Sequence, residues 1–384
     1  MEFSLHSYLK KLHETDSSPA YLGAIRKNAT PLVENQLPVI LTIGQLSYIT
    51  KSPYKHLMRI INRDSDPYRV FSIRKRSGGK RYICVPENYL LTVQKWVHKH
   101  ILCSCHALKA LSSSVTAYTP ESSHIKNAKH HLDADWILKF DIINFFESIS
   151  ERQVYYVFRR FGYRALVAFC LARLCTRVLD QRIDVRRKKK RWAINKVKWK
   201  NLTTSTMGHL PQGAPTSPML ANLVCVELDK ELKNIAINEG LHYTRYADDI
   251  ALSGSIKDSN VTRSLISEIS SVIGKHGYDV NHRKTKVAKN GSRKIITGLS
   301  VDGDKLRVPK KYKDEIRKDL YYIKKYGLEG HCAKIEYKNY LTYIMRLKGR
   351  IQYVLLIEHA VGEKLLCMFK EIFPKFHQLE NLLK

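Results

Sequence analysis

Between Tyr68 and Pro86 apolar and polar residues alternate on either side of Ser77-Gly78-Gly79-Lys80, the period-two signature of a hairpin. Further along, Trp136-Ile-Leu-Lys-Phe-Asp141 is a short apolar run, which predicts a buried strand carrying an acidic residue at its C-terminal end. His242 to Ser253 predicts a second strand pair. Between these two regions a helix announces its start: Ser217 as N-cap, Pro218 at the first helical position, an apolar face of Leu220, Leu223, Val224 and Leu228, and Gly240 past the end. Residues 1–48 are mixed and modestly amphipathic, and neither repeats nor a long low-complexity linker appear.

Composition narrows the partner. With 384 residues, 44% of them hydrophobic, the chain can build two or three subdomains around sizeable cores. Lys and Arg number 66 against 35 Asp and Glu, a formal charge of +31, and such a chain repels itself unless it meets a polyanion. Nucleic acid is the first candidate. The basic residues are concentrated. Residues 180–200 hold ten Lys and Arg, including the run from Arg186, Arg187 and Lys188 to Arg191, near Trp192 and Trp199. A solvated loop and a nucleic-acid contact are both open there. Between Lys305 and Arg350 fourteen Lys and Arg interleave with seven tyrosines, the pattern of a helical region gripping a duplex through Lys310, Lys311, Arg317 and Tyr321.

The eight cysteines lie mostly in apolar runs, as reduced, buried thiols of a cytoplasmic protein would. Cys103 and Cys105 with His100 and His106 lack a second pair at zinc-ligand spacing. No signal pattern appears, and no apolar stretch approaches the roughly 20 residues of a membrane span, so neither a membrane partner nor a secreted location is expected.

Candidate chemistry centres on Tyr246-Ala247-Asp248-Asp249, two consecutive carboxylates in an otherwise apolar hairpin. Burying them unpaired is costly, and a cation removes the cost. Asp141 closes its own strand, and adjacent strands lie about 4.8 Å apart. Asp141, Asp248 and Asp249 could then hold two ions about 3.5–4 Å apart, the separation that suits in-line phosphoryl transfer. The main-chain carbonyl of Ile142 is a further oxygen for Mg²⁺, which takes six, with Mn²⁺ as a substitute.

Three segments carry a resemblance. Phe140-Asp141-Ile-Ile-Asn-Phe-Phe146, Leu210-Pro-Gln-Gly-Ala-Pro-Thr-Ser-Pro218 followed by Leu220-Ala221-Asn222, and Tyr246-Ala-Asp-Asp249 stand in the order of reverse-transcriptase motifs A, B and C. Asn127-Ala128-Lys129-His130-His131 and Ile296-Thr297-Gly298 are similar to two elements of bacterial retron reverse transcriptases. The resemblance implies an α+β right-hand polymerase with fingers, an antiparallel-sheet palm and a helical thumb. Its implied bounds are an N-terminal extension at 1–48, fingers at 49–125 with part of 150–204, a palm at 126–303 with a basic insertion at about 180–204, and a thumb at 304–384. It implies that Phe146 excludes the ribose 2′-hydroxyl, that Gln212 and Gly213 line the nucleotide pocket, and that Arg81 with Arg74 or Lys75 clamps the dNTP triphosphate. It also implies that Lys284 protonates the leaving pyrophosphate. Phe146 as a core aromatic and Arg81 as an ordinary hairpin charge are the alternatives. Asn127, His130, His131, Thr297 and Gly298 would meet RNA, although a structural role for the Asn and His side chains is equally open. The implied partners are a cognate noncoding RNA (msr-msd), its branched msDNA product and a separate effector protein in antiphage defence. A group II intron or diversity-generating enzyme, and a non-catalytic RNA-binding scaffold, are the rival expectations.

Overall fold

The computed structural model describes residues 18–74, 78–178, 207–255 and 258–374; Lys75, Arg186, Arg187, Lys188 and the rest of the basic segment up to 204 lie outside the described residues. The chain opens with helices α1 (Pro19–Glu34), α2 (Ile43–Thr50) and α3 (Tyr54–Ile61), followed by hairpin β1 (Tyr68–Arg74) and β2 (Lys80–Pro86). Next come α4 (Asn88–Val97), a π-helical turn (His98–Leu102), α5 (Cys105–Lys109), α6 (His124–Lys129) and β3 (Trp136–Asp141). Helices α7 (Phe145–Ser148), α8 (Glu151–Arg160), α9 (Ala165–Cys175), α10 (Ser217–Val224) and α11 (Val226–Asn238) lead to strands β4 (His242–Tyr246) and β5 (Asp249–Gly254). The remainder is α12 (Ser259–Lys275), β6 (Lys286–Lys289), β7 (Ile295–Ile296), β8 (Leu299–Ser300), α13 (Lys310–Lys334), α14 (Tyr340–Ile357) and α15 (His359–Ile372).

Two compact units result. The first runs up to Ser123, from Leu138 to Leu252, and on to Lys286; the second takes His124–Ile137, Ser253–Ser255 and the chain from Val287 onward. The first hairpin forms as its alternation predicts, with Tyr68 opposite Pro86 and Arg74 opposite Lys80. The main sheet has the order β4–β5–β3–β6. Two residues join β4 to β5, which makes that pair antiparallel. In β3 the apolar run is buried through Leu138, and Trp136 and Phe140 are among the largest fully buried side chains. Helix α8 starts on a reciprocal cap: Gln153 N–H donates to Ser150 Oγ (3.3 Å) while Ser150 N–H donates to Gln153 Oε1 (2.9 Å).

The helix expected as one piece from Ser217 toward Gly240 is two. Cys225 (φ −82°, ψ 6°) leaves helical geometry between α10 and α11, so α10 packs on α8 while α11 packs on β4 and α12. Thr216, not Ser217, occupies the cap position, and no side-chain bond closes it. Pro218 in the first turn, with no N–H to satisfy, sets the start instead.

The second unit is mainly helical, its core built from Ile316, Leu320 and Ile323 of α13, Leu347, Ile351 and Val354 of α14, and Leu365 and Phe369 of α15. A Cβ at Gly362 would collide with the Leu355 backbone, so glycine sets the close crossing of α14 and α15. Thr297 (φ 44°) and Gly298 (φ 86°) form the two-residue turn of β7–β8, both in the left-handed region that such tight hairpins require. Among the described residues no helix is long and apolar enough to cross a membrane.

Candidate active site

The turn between β4 and β5 consists of Ala247 and Asp248, with Asp249 opening β5. Ala247 sits at φ 59°, an unusual conformation for a residue with a Cβ. The main-chain N–H of Ile142, just past β3, donates to the Asp248 carbonyl at 3.1 Å. That bond brings Asp141, Asp248 and Asp249, more than a hundred residues apart in sequence, to one end of neighbouring strands β3 and β5. Burial, the Asp249 charge and the Asp141 charge raise the Asp248 carboxyl to about 6, against a weaker opposing hydrogen bond and Lys284. Asp249 is raised by burial and by Asp141, with Lys139 and Lys284 acting the other way.

Asp141 is held from the other side. Lys284 Nζ lies 2.8 Å from its Oδ1, Asn281 Nδ2 donates to its Oδ2 (3.2 Å), and Asn281 N–H donates to its carbonyl (2.8 Å). Among the described residues no three His, Cys, Asp or Glu side chains form a ready ligand cluster, at this turn or around Cys103. The donor set nevertheless fits a hard divalent cation: three carboxylates in one corner, two of them made basic by burial and mutual repulsion. Lys284, expected near a leaving pyrophosphate, neutralises Asp141 in this arrangement.

Beneath the turn lies a network that the sequence motifs did not single out. Arg245 and Asp229 are both fully buried and pair through both carboxylate oxygens at 2.7 Å. Tyr243 Oη donates to Asp229 Oδ1 (2.7 Å), and Arg245 Nη1 donates to Asn222 Oδ1 and to the Ala247 carbonyl, each at 3.2 Å. The guanidinium thus braces the strained residue of the β4–β5 turn. The signal was present: an Arg inside an apolar strand is buried only when paired.

The remaining expected residues of the first unit lie on α7, on the first hairpin and on the segment before α10. Phe146 is half-buried on α7 and touches Phe145 (ring centroids 5.5 Å apart) and Tyr118 (6.3 Å). Arg74 and Arg81 are exposed on the first hairpin. Gly213 has φ 112°, and a Cβ there would stand 2.7 Å from Ile83 Cγ2 and 3.1 Å from the Cys84 carbonyl, while Cys84 N–H donates to the Gln212 carbonyl at 2.7 Å. The close approach that glycine permits is therefore made to β2.

The second unit holds the rest. Asn127 (2% exposed) and His131 (0%) are buried, and the His131 ring nitrogen Nδ1 meets Ser253 Oγ at 2.7 Å, so neither side chain is presented for RNA; His130 is exposed. Thr297 Oγ1 donates to the His124 carbonyl (2.9 Å), which ties the β7–β8 turn to α6. Lys310 and Lys311 open α13, Arg317 pairs with Asp314 (2.7 Å), and Tyr321 is exposed beside Tyr322.

Comparison with known proteins bears on this geometry. Residues 73–314 match the family model described as reverse transcriptase (RNA-dependent DNA polymerase). The chain is 30% identical to the retron Ec86 reverse transcriptase of Escherichia coli, over 85% of this chain and 92% of that protein. It is 29% identical to the retron Mx162 reverse transcriptase of Myxococcus xanthus, over 79% of this chain and 61% of the relative's length. Among solved structures, a telomerase from Candida albicans in complex with a fragment of telomeric RNA is a distant likeness, with a TM-score of 0.39 at 14% identity, covering 79% of this chain and 63% of that one.

Proposed function

The chain belongs to the reverse transcriptase family, RNA-directed DNA polymerases, and within it to the bacterial retron enzymes; from that premise we propose that it copies part of a cognate structured noncoding RNA (msr-msd) into branched msDNA, priming from the 2′-hydroxyl of a guanosine in that RNA. Asp141, Asp248 and Asp249, with the Ile142 carbonyl, are the groups that would hold two Mg²⁺ ions. When bound, these ions lower the pKa of the attacking hydroxyl and offset charge on the leaving pyrophosphate. The observation that supports this assignment is the Ile142 to Asp248 hydrogen bond, because it joins the ends of the two acidic strands.

Around that corner the side chains bind and orient. Phe146 fills the space a ribose 2′-hydroxyl needs, Gln212 and Gly213 form the pocket floor against β2, and Arg74 and Arg81 pair with the dNTP triphosphate. Lys284, which pairs with Asp141 in this arrangement, is the side chain that would donate a proton to the leaving pyrophosphate. His130, Gly298, Lys310, Lys311, Arg317 and Tyr321 contact the RNA, whereas the buried Asn127, His131 and tethered Thr297 shape that surface from beneath. Fingers at 49–125, palm at 126–303 and thumb at 304–384 are part of this proposal, although the compact units divide elsewhere, with His124–Ile137 and the chain from Val287 grouped together; the enzyme works in the cytoplasm beside a separate effector in antiphage defence.

The test is the nucleic acid that co-purifies with the chain when it is expressed with its neighbouring RNA locus. Sequencing and debranching are expected to show a DNA strand joined through a 2′–5′ linkage to a guanosine of one structured RNA. Linear cDNA alone would overturn the retron-type reaction and favour intron-like or diversity-generating chemistry.

A further inference from the structure

The segment before Tyr118 is locked to the catalytic hairpin. Arg245 N–H donates to the Ser114 carbonyl (2.9 Å) and Thr116 N–H to the Arg245 carbonyl (3.0 Å), in a parallel register that sets Val115 opposite Arg245. Beyond this bridge the chain bends, and the Tyr118 phenol comes near enough to Asp248 and Arg81 to feel both charges. Asn222 Nδ2 fixes the intervening Ala117 carbonyl at 2.8 Å. Tyr118 itself sits at φ 65°, a conformation bulky residues rarely adopt and one that persists where the surroundings over-determine it. Its ring is 39% exposed and lies 6.3 Å from the Phe146 ring at a tilt of 48°. Burial, with Asp248 and Tyr246, pushes the phenol up to about 12 against Arg81 and Arg245, so it stays a neutral hydroxyl at working pH.

We propose that Tyr118 is a positioning residue for sugar selection: its ring braces Phe146 in the orientation that rejects a ribose 2′-hydroxyl. The inference rests on the reading of Phe146 given above and extends it to a residue outside the recognised motifs. A strained, part-exposed aromatic that packs on Phe146 and feels both Asp248 and Arg81 has a physical reason to persist there. A gate ring without a second wall could rotate aside and admit the larger sugar.

The experiment is single-nucleotide extension on an RNA template with a dNTP or the matching rNTP, using the full chain and reading the ratio of the two kcat/KM values. Phe146→Ala is expected to raise ribonucleotide use, and Tyr118→Ala and Tyr118→Gly to raise the rNTP:dNTP ratio by roughly tenfold, the scale of a lost pocket contact. Glycine is comfortable at positive φ, so the second variant removes the ring while relieving the backbone. Tyr118→Phe keeps the parent ratio. General damage to the fold lowers both rates together and leaves the ratio unchanged. If Phe146→Ala shifts the ratio while Tyr118→Ala and Tyr118→Gly do not, the bracing role is overturned and the Phe146 gate stands. If Phe146→Ala shifts nothing, the gate reading itself falls and the inference with it. A Tyr118→Phe variant as permissive as Tyr118→Ala would assign selection to the hydroxyl and overturn the role of the ring.

Discussion

Replacing Asp248 and Asp249 together by Asn is expected to abolish RNA-templated DNA synthesis while leaving the chain folded and bound to RNA. In the proposed site these carboxylates supply the anionic oxygens for the cations, and metal ions contribute several kcal/mol of transition-state stabilisation, on the order of a thousandfold or more in rate. The same substitution is expected to stabilise the metal-free fold at high pH. Asp248 titrates at about 6 in the folded chain, above its ordinary value of 3.8. The native state therefore binds that proton more tightly than the unfolded chain does. The associated stability is fully present below about pH 4 and is lost as pH rises through about 6, a difference of order 2–3 kcal/mol. Asparagine removes the repulsion, so without divalent ions the double variant melts above the parent at pH 8 and beside it at pH 4. Thermal melts at both pH values, with primer extension on the same preparations, read both effects. Synthesis by the double variant, or a lower melt than the parent at pH 8, would contradict the site.

The second large effect concerns the pair beneath the turn. Asp229→Ala leaves the Arg245 guanidinium buried with no carboxylate, and breaking a buried pair from one side costs about 3–5 kcal/mol. Equilibrium urea unfolding is expected to show that loss. Replacing both partners, Asp229→Leu with Arg245→Met, recovers most of it, because no charge is then stranded in the core. Activity does not recover with stability, since the Ala247 carbonyl has lost its donor and the turn its brace. A single variant that unfolds at the parent urea concentration would contradict this account, as would a double variant with parental activity.

The hairpin of β1 and β2, the strand ending in Asp141 and the strand pair around Asp248 were legible because alternation and short apolar runs report local geometry. The resemblance in motif order singled out three acidic residues that the fold brings to one end of neighbouring strands. The break at Cys225 was not legible, because it reflects different packing partners for the two halves of one apolar pattern. The Asp229 and Arg245 pair is a contact between a helix and a strand, each of which looks like an isolated charge in its own segment. Asn127 and His131 looked like RNA ligands because polar residues in a motif suggest contact, yet burial assigns them inward. Tyr118 lies outside every motif, and its place beside Phe146 and near the Asp248 charge comes from tertiary packing that no local pattern encodes.

Extension of a labelled primer on an RNA template by the unaltered chain, with Mg²⁺ and again after chelation, tests the central claim most directly. DNA that lengthens only when dNTPs and a divalent ion are both present, stops with EDTA and resumes when Mg²⁺ is restored is the result this account predicts. A folded, RNA-bound chain that adds no nucleotide with Mg²⁺ or Mn²⁺, or that adds dNTPs undiminished in excess EDTA, would contradict it.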